Sequence, residues 1–351
     1  MRGVTKFQSR TTCSRSIESA ENANSSARVR ALLIDRLQMA PDTYHVPVLA
    51  ERVVELFRDL GPGIIVDTTL GGGGHAAAIL SANGRVRLVG IDRDPAARAA
   101  AAQRLAPLGD RVSIVDATFA DLARVLAESA DFVHGEPIVG ILMDLGVSSH
   151  QLDEGSRGFS FRADAPLDMR MDTTRGLTAA QFLARVDEHE LVRLLRENGE
   201  DRFARAIARA LLEDQPATTF ELNAAVERAV PAAARRRGHV ATRVYQALRI
   251  AVNEEERQLE EGLAAALDVL AVGGVLAVIS YHSGEDRLVK SMFHDAVTGG
   301  CHCPPELGCV CGAVHRYRVA KASAILAGAP EIAANPRARS ARLRVAYRVL
   351  A

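Results

Sequence analysis

The sequence lacks several features that would point to particular classes of protein. It has no tryptophan, and aromatic residues make up 4% of its 351 residues, so aromatic platforms that stack single-stranded bases must be few. Basic and acidic residues number 43 each, and a zero net charge excludes a uniformly basic protein that coats nucleic acid. No apolar run reaches the roughly 18 residues of a membrane span, and the polar N-terminus lacks the apolar core of a secretory signal. We therefore expect a cytoplasmic protein that does not associate with membranes.

Cysteine is also scarce, and its distribution argues against a disulfide framework. Four of the five cysteines lie close together, at Cys301, Cys303, Cys309 and Cys311, whereas secreted folds spread them through the chain. Four thiolates suit tetrahedral zinc, but the Cys-x-Cys spacing is tighter than usual and two prolines stiffen the intervening loop. The sequence leaves two interpretations open, a structural zinc site and a surface loop of reduced thiols. It predicts no catalytic metal.

Short apolar runs alternate with segments of helical length along much of the chain. Such alternation predicts βαβ units and a parallel sheet with both faces covered by helices. The predicted strands are residues 64–66, 87–91, 112–115, 138–143, 275–280 and 343–349. The segments 95–106 and 119–129 are typical of the helices between them.

The pattern changes in the middle of the chain, where residues 150–240 are charged, follow a helical period and lack strand-like runs. Residues 43–149 and 241–351 therefore predict one α/β domain, interrupted by a helical insertion domain of residues 150–240. Residues 1–42 are rich in Ser, Arg, Asn and Ala and predict a disordered tail. Because Met39 is a second methionine, the residues before it are either a start-site artefact or a basic arm that contacts RNA.

The first predicted strand runs into a glycine-rich loop, residues 67–75, which a helical segment follows. Strand, glycine loop and helix begin a nucleotide-binding domain, because glycine lets the backbone approach a ligand and the helix N-terminus presents free N–H groups. A tight turn without a ligand is the alternative. Asp92 ends the second strand about 20 residues further on, where an acid can accept both ribose hydroxyls.

The carboxylate of Asp67, at the end of the first strand, helps to choose between cofactors. It would repel a pyrophosphate, whereas it suits a cationic or zwitterionic ligand such as the methionine ammonium of S-adenosylmethionine. NAD remains the alternative, since Gly72-x-Gly74-x-x-Ala77 fits its fingerprint loosely.

Strand four ends at Asp144, and ligands of an open parallel sheet bind beyond the carboxyl ends of its strands. Asp144 is therefore placed to face both cofactor and substrate, and the alternative is that it caps the following turn.

Several separated motifs extend this pattern over nearly the whole chain. They are residues 45–49, 67–75, 144–153, 157–161, 241–250, 252–254, 279–283, 285–287 and 335–340. With these motifs the chain, from about residue 44 to its end, resembles the RsmH/MraW family of ribosomal RNA small-subunit methyltransferases, which make N4-methylcytidine.

The resemblance implies a Rossmann-like class I S-adenosylmethionine methyltransferase sheet with an inserted helical domain. It implies 16S ribosomal RNA, within the small ribosomal subunit, as the partner and a cytidine of the decoding region as the target. The oligomeric state is not determined by the sequence. The cofactor-binding residues that the resemblance implies are Gly73, Gly74, His75, Asp92, Phe119, Asp144 and Gln151.

The chemistry of the implied reaction suggests roles for further residues. The lone pair of the cytosine N4 amine is delocalised into the ring, so an acceptor for an amine hydrogen and in-line placement assist its attack on a methyl sulfonium. Asp144 is our first candidate for this catalytic acceptor and His282 the second, with a backbone carbonyl as the alternative to both. Tyr281 and His282 are predicted to bind the substrate, Tyr281 by stacking on the cytosine. A core-edge aromatic and a hydrogen-bonded structural histidine are the alternatives.

Arginine is abundant near the C-terminus, where Arg337, Arg339, Arg342 and Arg344 alternate with a strand-like spacing. This spacing predicts one cationic face, and Arg235 to Arg237 form another basic cluster. Both are candidates for phosphate contacts, with a solvated charged face as the alternative.

Two other classes of function remain as alternatives to a methyltransferase. One is an NAD-linked oxidoreductase. The other is a non-catalytic RNA-binding assembly factor.

Overall fold

One mixed sheet of eight strands forms the centre of the protein in a computed structural model. The strands are β1 Gly63–Asp67, β2 Val86–Asp92, β3 Val112–Asp116, β4 Ile138–Asp144, β5 Val275–Ser280, β6 Tyr317–Val319, β7 Ile325–Leu326 and β8 Arg342–Arg348. Their order is β3-β2-β1-β4-β5-β8-β6, and β7 also pairs with β8. Strands β1 to β5 are parallel, whereas β8 is antiparallel to its three neighbours. The predicted Rossmann-like α/β sheet is confirmed.

The structure describes residues 47–147, 155–160, 163–237, 240–304, 310–320 and 323–350. The predicted tail of residues 1–42 lies outside this part of the chain, as do the predicted cofactor residue Gln151 and the cysteine Cys309.

Helices connect the strands and form most of the central part of the sequence. The α-helices are α1 Ala50–Phe57, α2 Gly74–Ala82, α3 Pro95–Leu105, α4 Leu122–Glu128, α5 Ala130–Val133, α6 Ala179–Leu183, α7 Glu188–Glu197, α8 Ala204–Asp214, α9 Thr219–Ala229, α10 Ala232–Arg237, α11 Val240–Asn253, α12 Glu255–Val269, α13 Ser283–Thr298 and α14 Ala329–Ala334. Short 3-10 helices are Ala106–Arg111, Phe119–Asp121, Gly155–Arg157 and Pro336–Ser340. Within the described ranges, no helix has both the length and the apolar character that crossing a membrane requires.

The two faces of the sheet are buried in separate hydrophobic cores, as expected when helices cover a parallel sheet on both sides. Alternate residues of a strand point to opposite faces, so Ile64 and Val66 pack with helices α4, α12 and α13. Ile65, between them, packs with helices α1, α2 and α3 on the other face. This double burial explains why the strands are continuous apolar runs in the sequence.

A third hydrophobic core belongs to the helices between strands β4 and β5. Its fully buried members include Leu191, Leu211, Leu222 and Leu248, which lie on four different helices. Helix α11 begins where the predicted insertion ends, and it contributes Leu248 to this helical core. The division of the chain into a methyltransferase domain and a domain of residues 150–240 stays a prediction.

A buried ion pair fixes the segment that follows strand β4. Arg157 donates to Asp94 Oδ2 at 2.6 Å, and its other nitrogen donates to the carbonyl oxygens of Arg170 at 3.0 Å and Met171 at 2.6 Å. Because Asp94 also caps helix α3, the segment is attached to the helix that follows β2.

Candidate active site

The strand order places a crevice at the carboxyl edge of the sheet. Strand β1 lies between β2 and β4. The order of the strands therefore reverses at β1, with β2 and β3 on one side of it and β4 and β5 on the other. In open α/β sheets, ligands bind at such a switch point, outside the carboxyl ends of the strands. Four of the parallel strands, β1 to β4, end in aspartates at this edge, namely Asp67, Asp92, Asp116 and Asp144.

The glycine loop after β1 is held across the ends of three strands by its own backbone. Thr68 N donates to the carbonyl oxygen of Leu142 in β4 at 2.9 Å, and Leu70 N donates to that of Ile91 in β2 at 2.9 Å. These bonds fix the path of the loop, so the start of the following helix has a defined position at the crevice.

Helix α2 begins at this loop with a backbone open to a ligand. Its N-cap is Gly73, with φ of 75°, and no side chain of the described residues caps the helix. The first N–H groups of a helix need partners from outside it and attract negative or polar groups. A Cβ on the next residue, Gly74, would lie 2.7 Å from Pro47 Cγ, so glycine is required here for packing as well as for approach.

Both carboxylate oxygens of Asp92 accept backbone hydrogen bonds, one of them from the glycine loop. Its Oδ2 accepts from Gly71 N at 2.7 Å, and its Oδ1 accepts from Asp94 N at 2.8 Å. Burial raises the pKa of Asp92, and these two N–H groups oppose the shift. The carboxylate is therefore fixed in orientation, with further lone pairs left to accept hydrogen bonds.

Asp67 is a buried acid beneath the loop, with an exposed fraction of 1%. Desolvation raises its pKa to about 7, although the charge of His75 and a hydrogen bond from Thr69 N, at 3.2 Å, act in the opposite direction. The nearby carboxylates of Asp144 and Asp92 raise it further. A pKa of about 7 means that Asp67 is partly protonated at physiological pH, and a shift of this kind is typical of functional sites.

Asp144, Tyr281 and His75 form a small network between strand β4, the end of β5 and helix α2. The hydroxyl of Tyr281 donates to Asp144 Oδ1 at 2.8 Å, and His75 Nε2 lies 3.5 Å from Asp144 Oδ2. Asp144 N in turn donates to Thr69 Oγ1 at 2.6 Å, which ties β4 to the glycine loop. Burial and then the charge of Asp144 raise the pKa of Tyr281 well above its ordinary value, so its hydroxyl remains a donor.

His75 is buried, yet neither of its ring nitrogens has a hydrogen-bond partner among the described residues. Buried polar atoms without partners are rare, because leaving such a group unsatisfied costs about 1–3 kcal/mol. The ring lies beside the uncapped start of helix α2, of which it is the second residue. A bound ligand is the natural source of the missing partners.

His282 is both the residue after Tyr281 and the N-cap of helix α13. Its Nδ1 accepts from Glu285 N at 3.4 Å, while Glu285 Oε2 accepts from the backbone N–H groups of Tyr281 and His282. The His282 Nε2 lies 3.1 Å from Glu285 Oε1 but is not aligned for a hydrogen bond. Burial alone would raise the pKa of Glu285, but His282, Arg249 and the N–H of Tyr281 outweigh it and lower the pKa.

Phe119 begins the 3-10 helix after β3 and packs against helix α12. A Cβ on Gly262 would lie 2.8 Å from Phe119 Cδ2 and 2.8 Å from the carbonyl oxygen of Phe119. The ring is only partly buried in the core beneath it. Phe119 thus lies on the β3 side of the sheet edge, and its predicted contact with the cofactor stays a prediction.

Most of the predicted site residues are connected in space. His75, Asp144, Tyr281 and His282 adjoin one another, and the glycine loop connects them to Asp92. The sequence analysis missed the positioning role of Glu285. The spacing of His282 and Glu285, three residues apart just before a helical run, is that of a capping box and is the signal that would have revealed it.

The predicted arginine stripe is only partly correct. Arg342 and Arg344 do lie in strand β8, but both pair with Asp286, at 3.2 Å and 2.7 Å, which neutralises much of their charge. Arg337 and Arg339 lie in the 3-10 helix Pro336–Ser340, so the strand-like spacing was wrong for them. The proline at its start and the N-cap before it favour a helical turn over a strand. The side chains of the cluster 235–237 lie outside the described part of the chain.

An open parallel sheet with a switch point, an uncapped helix behind a glycine loop and an acid at the end of β2 together define a Rossmann-like cofactor-binding enzyme fold.

Comparison with known proteins identifies the kind of enzyme. The model of the MraW methylase family matches residues 42–349, so the chain belongs to this family of methyltransferases. The ribosomal RNA small subunit methyltransferase H of Heliobacterium modesticaldum is 48% identical over 313 residues, which cover 87% of this chain and 99% of the relative. The protein of the same name from Myxococcus xanthus is 49% identical over 308 residues, covering 87% and 98%. A solved structure of a ribosomal RNA methylase from Streptococcus thermophilus has 12% identity and a TM-score of 0.37 and covers 86% of this chain and 94% of that one. The resemblance drawn from the sequence motifs is confirmed.

Proposed function

We propose that this protein transfers a methyl group from S-adenosylmethionine to the N4 amine of a cytidine in the decoding region of 16S ribosomal RNA. The observation that carries the proposal is the position of Asp144, held by Tyr281 and facing His75 at the start of the glycine-loop helix. Relatives named for methylation of small-subunit ribosomal RNA support the choice of substrate. We propose that the RNA is methylated as part of the small ribosomal subunit, in the cytoplasm.

The crevice suits this cofactor on three counts. Helix α2 starts without a side-chain cap, His75 has buried nitrogens without partners among the described residues, and Asp92 is oriented with lone pairs to spare. Hydroxyls of a ribose and the polar groups of an amino acid are the partners that such groups require. The proposed cofactor residues are Gly73, Gly74, His75, Asp92, Phe119, Asp144 and Gln151.

Asp67 supports a cationic cofactor over a dinucleotide. Its carboxyl group lies below the glycine loop, where an ionised Asp67 would repel the negative charge of a pyrophosphate. An ammonium group near it would instead favour ionisation and lower its pKa from about 7. The same group therefore disfavours the alternative of an NAD-linked oxidoreductase.

The chain supplies an acceptor for the amine hydrogen. When bound, S-adenosylmethionine provides an electrophilic methyl group on a sulfonium sulfur. The N4 amine is a weak nucleophile, and it loses a proton when the new bond to carbon forms. Asp144 Oδ1 is occupied by the Tyr281 hydroxyl, so Asp144 Oδ2, on the side of His75, is the oxygen that accepts the amine hydrogen.

His282 suits the role of acceptor less well than Asp144. Its Nδ1 accepts the N–H of Glu285 as the cap of helix α13, and its Nε2 faces the Glu285 carboxylate. We propose that Tyr281 and His282 bind the target base. The charge of Arg337 acts on Tyr281, so a phosphate next to the base has a cation within its reach.

The test is methyl transfer from labelled cofactor to small ribosomal subunits that lack the modification, with naked 16S ribosomal RNA in parallel. Label is expected on a cytidine N4. The Asp144→Asn variant, at saturating cofactor, is expected to lose roughly 10²–10⁴ in rate, the range for a positioned acid or base. Asp92→Asn is expected to weaken cofactor binding, measured separately by equilibrium dialysis.

A matched control is Asp116→Asn, which alters an exposed acid at the end of the neighbouring strand β3 and is expected to leave both readouts unchanged. If label appears on neither form of RNA while the cofactor binds, the protein is a binding factor and not a methyltransferase of this substrate. If Asp144→Asn transfers methyl groups at the wild-type rate, Asp144 is not the acceptor.

A further inference from the structure

Three cysteines far from the active site meet in space beyond the end of helix α13. The sulfur atoms of Cys301, Cys303 and Cys311 lie within 4.8 Å of one another, and each is a thiol outside any disulfide. Folding therefore brings Cys311 to the pair Cys301 and Cys303 from the other arm of the loop that leads to strand β6.

Burial of apolar side chains does not explain why these three cysteines lie together. In the described residues of the loop, 301–304 and 310–316, no side chain is buried, and neither a helix nor a strand is present. Val310 and Val314 are 88% and 52% exposed. Segments without an apolar core of their own usually depend on a cross-link or a metal for a fixed structure.

The base of the loop is closed by backbone contacts that hold its two arms side by side. Gly299, with φ of 61°, approaches Val314 so closely that a Cβ on it would lie 2.5 Å from the Val314 carbonyl oxygen. One step further along, His315 Nδ1 lies 2.8 Å from the carbonyl oxygen of Val297. The loop thus returns to its starting point, and the thiols lie just above the closure.

We propose that Cys301, Cys303 and Cys311 bind a structural Zn²⁺ ion. Zinc–sulfur bonds of about 2.3 Å in a tetrahedral site place the sulfur atoms about 3.8 Å apart, so the present spacing needs only a small closing movement. Thiolate ligands select zinc over the harder divalent cations. The inference is independent of the proposed function.

Backbone donors around the sulfur atoms support thiolate ligands. Cys303 N lies 3.4 Å from Cys301 Sγ, to which it donates. Such donors stabilise negative charge on sulfur, as outer-shell partners of metal ligands do.

The position of the thiols argues for a structural ion and not a catalytic one. Helix α13 has 16 residues and starts next to His282, so its far end is about 24 Å away at 1.5 Å per residue. The cysteines follow that far end. Loss of zinc is therefore expected to loosen the loop without changing the chemistry at Asp144.

The experiment uses the full-length protein, stripped of metal with a chelator under reducing conditions. Zinc is titrated against a chromophoric chelator, and Co²⁺ serves as a spectroscopic probe of tetrahedral thiolate ligation. One equivalent of zinc is expected to bind, with Co²⁺ showing sulfur-to-metal charge transfer. Cys303→Ser is expected to lower the zinc affinity by at least about 100-fold, the upper end of what loss of an outer-shell partner costs.

Cys13→Ser is the matched control, because Cys13 is the one cysteine of the sequence that lies outside residues 301–311, and this variant is expected to bind zinc as the wild type does. Alkylation of Cys303 in the wild-type protein, followed by mass spectrometry, avoids any folding defect of a variant, and zinc is expected to slow it. Equal zinc affinity in Cys303→Ser and Cys13→Ser, or alkylation that zinc does not slow, overturns the proposal. The proposal is also overturned if these cysteines are found in a disulfide that persists when zinc is added.

Discussion

Replacing Asp67 by asparagine is expected to stabilise the protein at alkaline pH and to weaken its binding of the cofactor. The carboxyl group is 1% exposed, and its desolvation raises the pKa from 3.8 to about 7. Between these two values the folded state holds a proton that the unfolded state has released. Stability is therefore lost as the pH rises from about 4 to about 7, since the folded state binds more protons over that interval.

The size of the effect follows from the same shift. Each pH unit of difference is worth about 1.36 kcal/mol, so the raised pKa of Asp67 lowers the folding stability, relative to that at low pH, by about 4 kcal/mol at pH 8 and by about 2 kcal/mol at pH 5. Asparagine does not ionise, and its oxygen can still accept the N–H of Thr69 that Asp67 accepts at 3.2 Å. Asp67→Asn is thus expected to be about 2–3 kcal/mol more stabilising at pH 8 than at pH 5.

Thermal unfolding without ligand, at pH 5 and pH 8, measures this difference. Asp116→Asn is the control, because it removes an exposed acid from the end of β3 and is expected to show the same small effect at both pH values. Calorimetry is expected to show roughly 10-fold to 100-fold weaker binding of S-adenosylmethionine to Asp67→Asn at pH 8, the value of a lost charge-assisted hydrogen bond. A stability change for Asp67→Asn that is equal at pH 5 and pH 8 refutes the argument from burial.

Three further substitutions test other contacts. Tyr281→Phe removes the hydroxyl that donates to Asp144 at 2.8 Å, and we expect kcat to fall by about 10-fold, with a smaller effect on cofactor affinity; an unchanged kcat would show that this bond does not position the acceptor. Arg157→Met removes the cation that pairs with the buried Asp94 carboxylate at 2.6 Å and is expected to cost about 3 kcal/mol, seen as a lower Tm; a loss below 1 kcal/mol would mean that the pair is solvated. Gly158→Ala places a Cβ 2.5 Å from a backbone carbonyl oxygen at φ of 73°, so proteolysis near this residue is expected to accelerate as the segment is displaced, and unchanged cleavage would contradict that expectation.

The network around Asp144 joins strand β4 to two segments that are distant from it in the sequence. Tyr281 follows the end of β5, whereas Thr69 and His75 come from the glycine loop and the start of helix α2. A change in any of these contacts is therefore expected to alter both the acceptor and the start of the cofactor-binding helix. Asp67 shows the usual conflict at such sites, since burial of an acid that favours ligand binding opposes stability.

Local patterns in the sequence were sufficient for the main elements of the fold. Buried parallel strands are continuous apolar runs because both of their faces are covered, so β1, β2, β4 and β5 could be predicted nearly to their ends. The glycine loop and Asp92 could be predicted because a close backbone approach and an acid at a strand end need particular residue types. Strands β6 and β7 have three and two residues and carry no detectable period, so they were not predicted.

Contacts between distant residues were decided by the tertiary structure. Nothing local to Tyr281 indicates that its hydroxyl bonds to Asp144, because the two residues are 137 positions apart and meet only through the pairing of β4 with β5. The sequence made Arg344 a candidate for contacts with RNA phosphates, but in the folded protein Arg344 lies 2.7 Å from Asp286. The sequence by itself thus determined which elements form and which residue types line the carboxyl edge, since these depend on periodicity and local backbone preference. The tertiary structure alone decided which charges are paired and which acid has a raised pKa, since desolvation and pairing depend on neighbours that only folding brings together.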